Sequence, residues 1–250
     1  MKVGLFGFGK AGKAVATIIL QRTDARLCWV VRKSTVLQHR SVPEFLGVVS
    51  DEPGLIFSKD EWKPGQLFDE HPIDAIIDFA SSDAIFYYGE EAAKRGITIV
   101  SAASEYPAET IKFIQNLSEK TRVLWSPNIT VGINFMMLAA KILKAIAPHT
   151  DVVILEEHFK NKQTVSGTAK RIAHALSMEE TTIKSIRAGG IIGRHEIIFG
   201  FPYQTVRLIH EAIAREAFGN GALFAAQNLK DKANGLYCME DLLIPYFNLQ

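Results

Sequence analysis

The amino-acid sequence predicts an α/β fold: an N-terminal doubly wound parallel sheet, followed by a second α+β domain built on an open mixed sheet. Three observations carry this expectation. A glycine turn joins a buried strand to a helix at the N-terminus, strand and helix patterns alternate as far as Trp125, and after Ser126-Pro127-Asn128 the pattern changes to one long amphipathic helix and several β-rich runs. Regular alternation implies right-handed βαβ units, and the later runs have antiparallel spacing.

The first element, Lys2-Val3-Gly4-Leu5-Phe6, reads as a buried strand, and Ala14, Val15, Ile18 and Ile19 at helical spacing carry a helix to Arg22. Between them lies Gly7-Phe8-Gly9-Lys10-Ala11-Gly12. In a turn of this pattern the first glycine permits the tight bend, the second lets the backbone approach a pyrophosphate and the third lets the helix sit close on the strand. The free N–H groups of the helix start attract phosphate, so these six residues form a candidate dinucleotide cradle. Leu27 to Val31 supplies the second strand. Its end, about 20 residues past the glycines, is where an acidic side chain holds the ribose 2′-hydroxyl of NAD. This chain has Arg32-Lys33 there. Two cations suit a 2′-phosphate, so NADPH is the expected cofactor and NADH the second choice; a solvated loop start is the plainer alternative for the pair.

From Ser34 to Glu70 the pattern is irregular, with Pro43, Gly47, Pro53 and Gly54, and predicts loops with short elements. Ala75 to Phe79 then reads as a strand, Asp83 to Arg95 as a helix begun by a Ser/Asp cap, Ile97 to Val100 as a strand, Pro107 to Lys120 as a helix and Arg122 to Trp125 as a strand. The long amphipathic helix covers Ile133 to Ala147. Four strands follow, Val152–Leu155, Thr182–Ala188, Arg194–Phe199 and Thr205–His210, with a helix from Thr168 to Leu176 after the first. A helix from Ala212 to Leu229 and the segment Gly235 to Leu243 complete the pattern. The expected organisation is a dinucleotide-binding domain over 1–126, a substrate-binding and oligomerisation domain over 127–230, and a C-terminal segment, 231–250, that packs back on the first domain.

The 250 residues are 48% hydrophobic and 22% charged, enough for a full core. Lys and Arg number 28 against 27 for Asp and Glu, a formal net charge of +1, so no overall field points to nucleic acid or to an anionic membrane. Cys28 and Cys238 make neither a disulfide framework nor a metal-ligand cluster, which fits a reducing cytoplasm and predicts no metal. The apolar stretch Phe135 to Ala147 is interrupted by Lys141 and Lys144, against a membrane span. The expectation is a cytoplasmic enzyme of small molecules.

The chemistry concentrates in Leu155-Glu156-Glu157-His158-Phe159-Lys160-Asn161-Lys162-Gln163-Thr164-Val165-Ser166-Gly167-Thr168-Ala169. A strand end delivers a histidine and two lysines into a loop, and Ser166, Gly167 and Thr168 open a helix whose N–H groups and hydroxyls suit an anion. A loop histidine donates protons near neutral pH and a lysine holds a carboxylate. A surface loop with an ordinary helix cap is the plainer alternative. Glu156 and Glu157 fall on opposite strand faces, so one of them meets the site. His195 and His210 are expected to be structural, and Asp78 either to face the cofactor crevice or to cap the following helix.

That segment resembles the signature of dihydrodipicolinate reductases (4-hydroxy-tetrahydrodipicolinate reductases), Glu-x-His-His-x-x-Lys-x-Asp-Ala-Pro-Ser-Gly-Thr-Ala. Asp78-Phe79-Ala80, Ser126 to Asn134, Ser185 to His195 and Gly235 to Leu243 are similar to further stretches of the family in order and spacing, so the resemblance spans nearly the whole chain. It implies a Rossmann-type first domain, a homotetramer, and reduction of an unsaturated cyclic imine dicarboxylate to tetrahydrodipicolinate in lysine and diaminopimelate biosynthesis. His158 would be the catalytic acid and Lys162 its partner, with Phe159, Ser166, Gly167 and Thr168 at the substrate. Ser101, Ala102 and Ala103, with Ser126, Pro127, Asn128 and Ile129, would take the nicotinamide side. The chain departs from the pattern at Phe159, which replaces the second signature histidine, at Thr164-Val165, which shortens Asp-Ala-Pro, and at Ser101-Ala102-Ala103-Ser104, which replaces Gly-Thr-Thr-Gly. A gapped register recovers Glu156, His158 and Lys162 together; without a gap Asn161 takes the lysine's place. The departures leave two alternatives: an NADP-dependent dehydrogenase or reductase of another amino or imino acid, and a non-catalytic NADP(H)-binding regulator, against which retention of His158 and Lys162 counts.

Overall fold

The structure, a computed structural model, describes residues 1–247. Its first stretch runs β1 (Lys2–Phe6), α1 (Lys10–Leu20), β2 (Arg26–Arg32), α2 (Val42–Leu46), β3 (Leu55–Ser58), α3 (Pro64–Glu70), β4 (Ala75–Asp78), α4 (Ala84–Lys94), β5 (Thr98–Ser101), α5 (Ala108–Ser118) and β6 (Arg122–Trp125). The middle holds α6 (Val131–Ile146), β7 (Asp151–His158), α7 (Gly167–Ala175), β8 (Lys184–Arg187), β9 (Arg194–Phe201) and β10 (Gln204–Glu211). Then come α8 (Glu216–Leu229), β11 (Gly235–Tyr237) and α9 (Met239–Leu243).

Seven strands form one parallel sheet in the order β11-β6-β5-β4-β1-β2-β3. The order reverses at β1 and β4, and it is outside the carboxyl ends of such strands that a doubly wound sheet binds its ligand. Leu5, Val30, Ile76, Ile99 and Val123 are buried, as helices on both faces require. Gly4 has a packing reason: a Cβ there would meet the buried Trp29 ring at 2.3 Å. Between Ser34 and Glu70 the irregular pattern concealed β3, an edge strand of only four residues, with short helices on either side. Asp83 does stand before α4, but its side chain makes no capping hydrogen bond.

The chain divides into two compact units, residues 1–130 with 215–250, and residues 131–214. This corrects the expected boundary at 230, because α8 belongs to the first unit. The physical reason lies in two glycines of α8. A Cβ at Gly219 would stand 2.8 Å from Ile18 Cβ of α1, and one at Gly221 would stand 1.9 Å from the Ile129 carbonyl oxygen. Only a helix without side chains at both positions can press so closely on α1 and on the Ile129–Thr130 segment that follows β6. After α8, β11 extends the parallel sheet beside β6.

In the second unit the sheet order is β10-β9-β7-β8, with β7 and β8 parallel and the other pairs antiparallel. Helices α6 and α7 cover one face: Ile133, Met136 and Ala140 with Ile172, Ala173 and Leu176 pack on Ile154, Ile197 and Phe199. On the strands' other side, Val153, Ile186 and Ile209 are 40%, 43% and 51% exposed, too much for side chains packed in a core. Among the described residues no helix is long and apolar enough to cross a membrane.

Candidate functional site

The glycine turn divides its labour as a phosphate cradle must. Gly7 has φ +92°, and a Cβ there would lie 2.6 Å from the Phe79 carbonyl oxygen. At Gly12 a Cβ would lie 2.1 Å from the Gly7 carbonyl, so the helix start sits directly on the turn. Gly9 is different: its Cβ would meet nothing within 4 Å. Two glycines are thus closed by the protein itself, and one is open to a ligand. Lys10 is exposed, Ala11 half-buried, and the Phe8 ring packs 5.7 Å from that of Phe45.

The turn lines a cavity of about 480 Å³ whose polar wall includes Arg32, Lys33, Ser34 and Lys59. Arg32 Nη1 donates to the Val36 carbonyl at 3.0 Å and so organises the loop it opens. Lys59 escaped the sequence reading because β3 did. The register pairs Arg32 with Ser58, and the Lys59 N–H donates to the Arg32 carbonyl at 2.9 Å, which brings a third cation to the same wall.

The other two cofactor candidates, 101–103 and 126–129, meet at the ends of β5 and β6, where the Ser126 N–H donates to the Ser101 carbonyl at 3.0 Å. Their hydroxyls face inward. Ser101 Oγ and the Tyr106 hydroxyl share a hydrogen bond of 2.6 Å, and Ser126 Oγ donates to the Asn128 carbonyl at 2.8 Å. The Trp125 indole N–H donates to the Ala103 carbonyl at 2.9 Å, and the Ala102 N–H to the Asp78 carbonyl at 3.0 Å. Pro127 is half-buried and Ile129 buried.

Asp78 does not cap α4. Its carboxyl is buried, accepting from the Tyr88 hydroxyl at 2.6 Å and the Ala80 N–H at 2.7 Å. Burial pushes the group up to about 6 despite those two bonds. A folded value above the unfolded one means that folding favours the protonated acid. Stability from this group is therefore full below about pH 4 and is lost as pH rises through about 6, by on the order of 3 kcal/mol. Asp78→Asn should gain on the parent chain between pH 4.5 and 7.5 in urea unfolding; an equal stability difference at both pH values would contradict this.

In the second unit the sheet register assembles the chemistry. Glu156 on β7 lies opposite Ser185 on β8 and His195 on β9, and His158 lies beside Arg187. The Glu156 carboxylate is 0% exposed. One oxygen accepts from Ser185 Oγ at 2.6 Å and Arg187 Nη2 at 2.5 Å; the other bonds His158 Nδ1. Burial works to raise this carboxyl, but the hydrogen bonds of Arg187, Ser185 and His158 outweigh it and hold the group at about 2. Glu157, on the opposite face, pairs instead with Arg194.

Beside this pair His195 is buried, its ring centroid 5.3 Å from that of His158. Its Nε2 shares a hydrogen bond of 2.9 Å with Ser166 Oγ, and its Nδ1 is buried with no hydrogen-bond partner among the described residues. Burial first, then positive charge on His158 and His210, lowers it to about 4; Lys162 acts in the same direction, against Glu156. His195 is therefore neutral at pH 7. Ser166 precedes α7 without capping it, since its hydroxyl is turned to His195. Gly167 is open, with nothing within 4 Å of a Cβ. A Cβ at Gly193 would stand 3.1 Å from His158 Nε2, so the glycine keeps that nitrogen uncovered by a side chain.

Of the predicted residues, the fold thus brings His158, Ser166 and Gly167 together, with Thr168 next on α7 and Lys162 half-buried in the loop. Lys160 and Phe159 are exposed, Phe159 by 44%. The sequence reading missed Arg187 and Ser185, and expected His195 to be merely structural. The available signal was the alternate spacing of Ser185 with Arg187 on β8, and of Gly193 with His195 at the start of β9.

Family models described as "Dihydrodipicolinate reductase, N-terminus" and "Dihydrodipicolinate reductase, C-terminus" match residues 1–129 and 129–243. The chain is 30% identical to the 4-hydroxy-tetrahydrodipicolinate reductase of Caldanaerobacter subterraneus subsp. tengcongensis over 257 residues, 94% of each chain. It is 30% identical to that of Syntrophus aciditrophicus over 263 residues, 95% of this chain and 96% of the relative. Its fold is similar to that of a dipicolinate-bound dihydrodipicolinate reductase from a Paenisporosarcina species, with TM-score 0.80 and 21% identity over 96% of this chain and 98% of that one. With both halves matched in order and the relatives aligned over almost their full length, the chain belongs to the dihydrodipicolinate reductase family of pyridine-nucleotide-dependent oxidoreductases.

Proposed function

We propose that this chain reduces 4-hydroxy-tetrahydrodipicolinate, which loses its 4-hydroxyl as water to give the unsaturated imine that accepts the hydride, to tetrahydrodipicolinate, a step of diaminopimelate and lysine biosynthesis, with NADPH as its preferred cofactor. The observation that carries the reading is the buried Glu156–His158 pair set beside the open start of α7. The cradle fits a dinucleotide, since Gly9 leaves space where a phosphate needs to approach a helix start. Gly7 to Gly12 would hold the pyrophosphate, Arg32, Lys33 and Lys59 the ribose end, and 101–103 with 126–129 the nicotinamide side through backbone and shape. When bound, the dinucleotide supplies a hydride.

The chain's own residues do the rest. The ionised Glu156 accepts from His158 Nδ1, so His158 Nε2 is the nitrogen that delivers a proton to the substrate carbon made electron-rich by reduction. Lys162 and the N–H groups at Gly167 and Thr168 hold a substrate carboxylate, and Ser166 keeps neutral His195 in place. Phe159 offers a ring in place of a hydrogen bond. That exchange favours a second reading, a reductase of another amino or imino acid. The test is NADPH consumption by the purified chain with freshly generated 4-hydroxy-tetrahydrodipicolinate; no consumption with it, and consumption with another cyclic imine, would transfer the assignment to the second reading.

For the cofactor, Arg32→Ala and Lys59→Ala should each weaken NADPH binding about tenfold or more, one charge-assisted contact, and leave NADH binding unchanged. Calorimetric titration decides it: equal losses for both dinucleotides would remove the 2′-phosphate from this wall.

The uncovered sheet face of the second unit, with Val153, Ile186 and Ile209 among ion pairs of Arg194 and Arg207 with Glu157 and Glu196, supports assembly as a homotetramer through this unit. Light scattering that reports a single chain's mass at micromolar concentration would contradict it. Two unpaired cysteines suit work in the cytoplasm.

A further inference from the structure

A carboxylate with no solvent exposure needs a reason, because burial without partners is costly and replacing such a network by apolar side chains is often neutral or stabilising. Glu156 has three donors, and each leads somewhere. The most connected is Arg187. Besides holding Glu156, its Nε donates to the Lys162 carbonyl at 2.9 Å and its Nη2 also reaches the Thr164 carbonyl at 3.0 Å. One guanidinium fork therefore ties the strand that carries His158 to the loop that carries Lys162. A lysine there could not do the same, having a point charge in place of a planar fork.

We propose that Glu156 and Arg187 form a positioning pair: Glu156 keeps one ring proton of His158 on Nδ1, so that the second proton, the one the imidazolium gives up, is carried on Nε2 toward the reacting molecule, while Arg187 locks the backbone of the Lys162 loop against the same carboxylate. The inference rests on the reading of His158 and Lys162 given above. Its first half concerns which ring nitrogen carries the proton, and stands or falls without any turnover. Ser185 completes the set by occupying the oxygen that Arg187 shares, which leaves the other oxygen to His158 alone.

The test uses the full chain and three variants. Nitrogen-15 spectra of the His158 ring at alkaline pH should report the Nδ1–H form in the parent chain and a mixture of tautomers in Glu156→Gln, whose side chain both donates and accepts. That variant should lose about 10²-fold in kcat, the lower end of what a general acid supplies, with little change in KM or in binding of dipicolinate as a substrate-shaped probe. Arg187→Lys should lower kcat and also weaken dipicolinate at least tenfold, because the loop loses its two carbonyl ties. Unchanged tautomer and kcat in Glu156→Gln, or unchanged dipicolinate binding in Arg187→Lys, would overturn the proposal. If Glu156→Gln does not fold, Glu156→Asp takes its place: its carboxylate, one methylene shorter, should loosen the bond to Nδ1, bring the second tautomer into the spectra and lower kcat by a smaller factor; an unaltered spectrum there overturns the first half. A tautomer that shifts while kcat stays at the parent value would keep the positioning pair and refute the assignment of His158 as the acid.

Discussion

His158→Ala should depress turnover by about 10²–10⁴-fold, the range of a lost general acid, while NADPH binding stays near that of the parent chain. The expectation follows from where the imidazole sits. It is buried at the end of β7, one nitrogen is committed to an ionised carboxylate, and the other is left uncovered by Gly193. No neighbour replaces it, because His195 is held neutral and occupied by Ser166. Lys162→Ala should fall by a similar factor, and Lys160→Ala, at an exposed position, should behave like the parent chain. The two lysines also arbitrate the alignment. Lys162 is half-buried and its backbone carbonyl accepts from Arg187, whereas Lys160 is exposed, in keeping with the gapped register. Near-normal kinetics in Lys162→Ala with collapse in Lys160→Ala would reverse that choice.

Gly221→Ala should cost about 3 kcal/mol or more of stability, a large effect for one methyl group. Its Cβ would lie 1.9 Å from a backbone carbonyl, and a backbone atom cannot step aside as a side chain can. To make room, α8 must move away from Ile129 and loosen its contact with α1. Gly9→Ala is the counterpart. There a Cβ enters open space, so stability should change little, and the loss should appear in dinucleotide affinity. Urea unfolding and cofactor titration of both variants separate the two kinds of glycine; a destabilised Gly9→Ala with normal binding would show that the turn is only structural.

Much of this was legible in the sequence because the signals were local. The buried strands of the first sheet read as short apolar runs, and the spacing of Gly7 and Gly12 already marks the tight turn and the close approach of helix to strand that the structure shows. What escaped depends on pairing between distant segments. Lys59 gains meaning only when β3 lies beside β2, and Arg187 only when β8 runs parallel to β7 with His158 and Arg187 in register. His195 reads as an ordinary strand histidine until Ser166, from the start of α7, is found against it. The domain boundary was misread for a related reason. A helix following four strands looks like part of their domain, and the glycines that dock α8 on the first unit, Gly219 and Gly221, carry no periodic signal.

The pairing of β11 with β6 has a consequence for how the protein is made. A ribosome delivers β6 by the middle of the chain and β11 only after the whole of residues 131–214, so throughout that interval the Arg122–Trp125 strand presents an open parallel edge, and α1 waits for α8. The second unit has its own core and can close as soon as it emerges. The vulnerable nascent chain is the one whose second unit is finished and whose first is not, since an exposed strand edge is a template for pairing with other chains. Chains stalled before Gly235 should therefore be the ones that bind chaperones most and aggregate most readily, and release of a few more residues should relieve both.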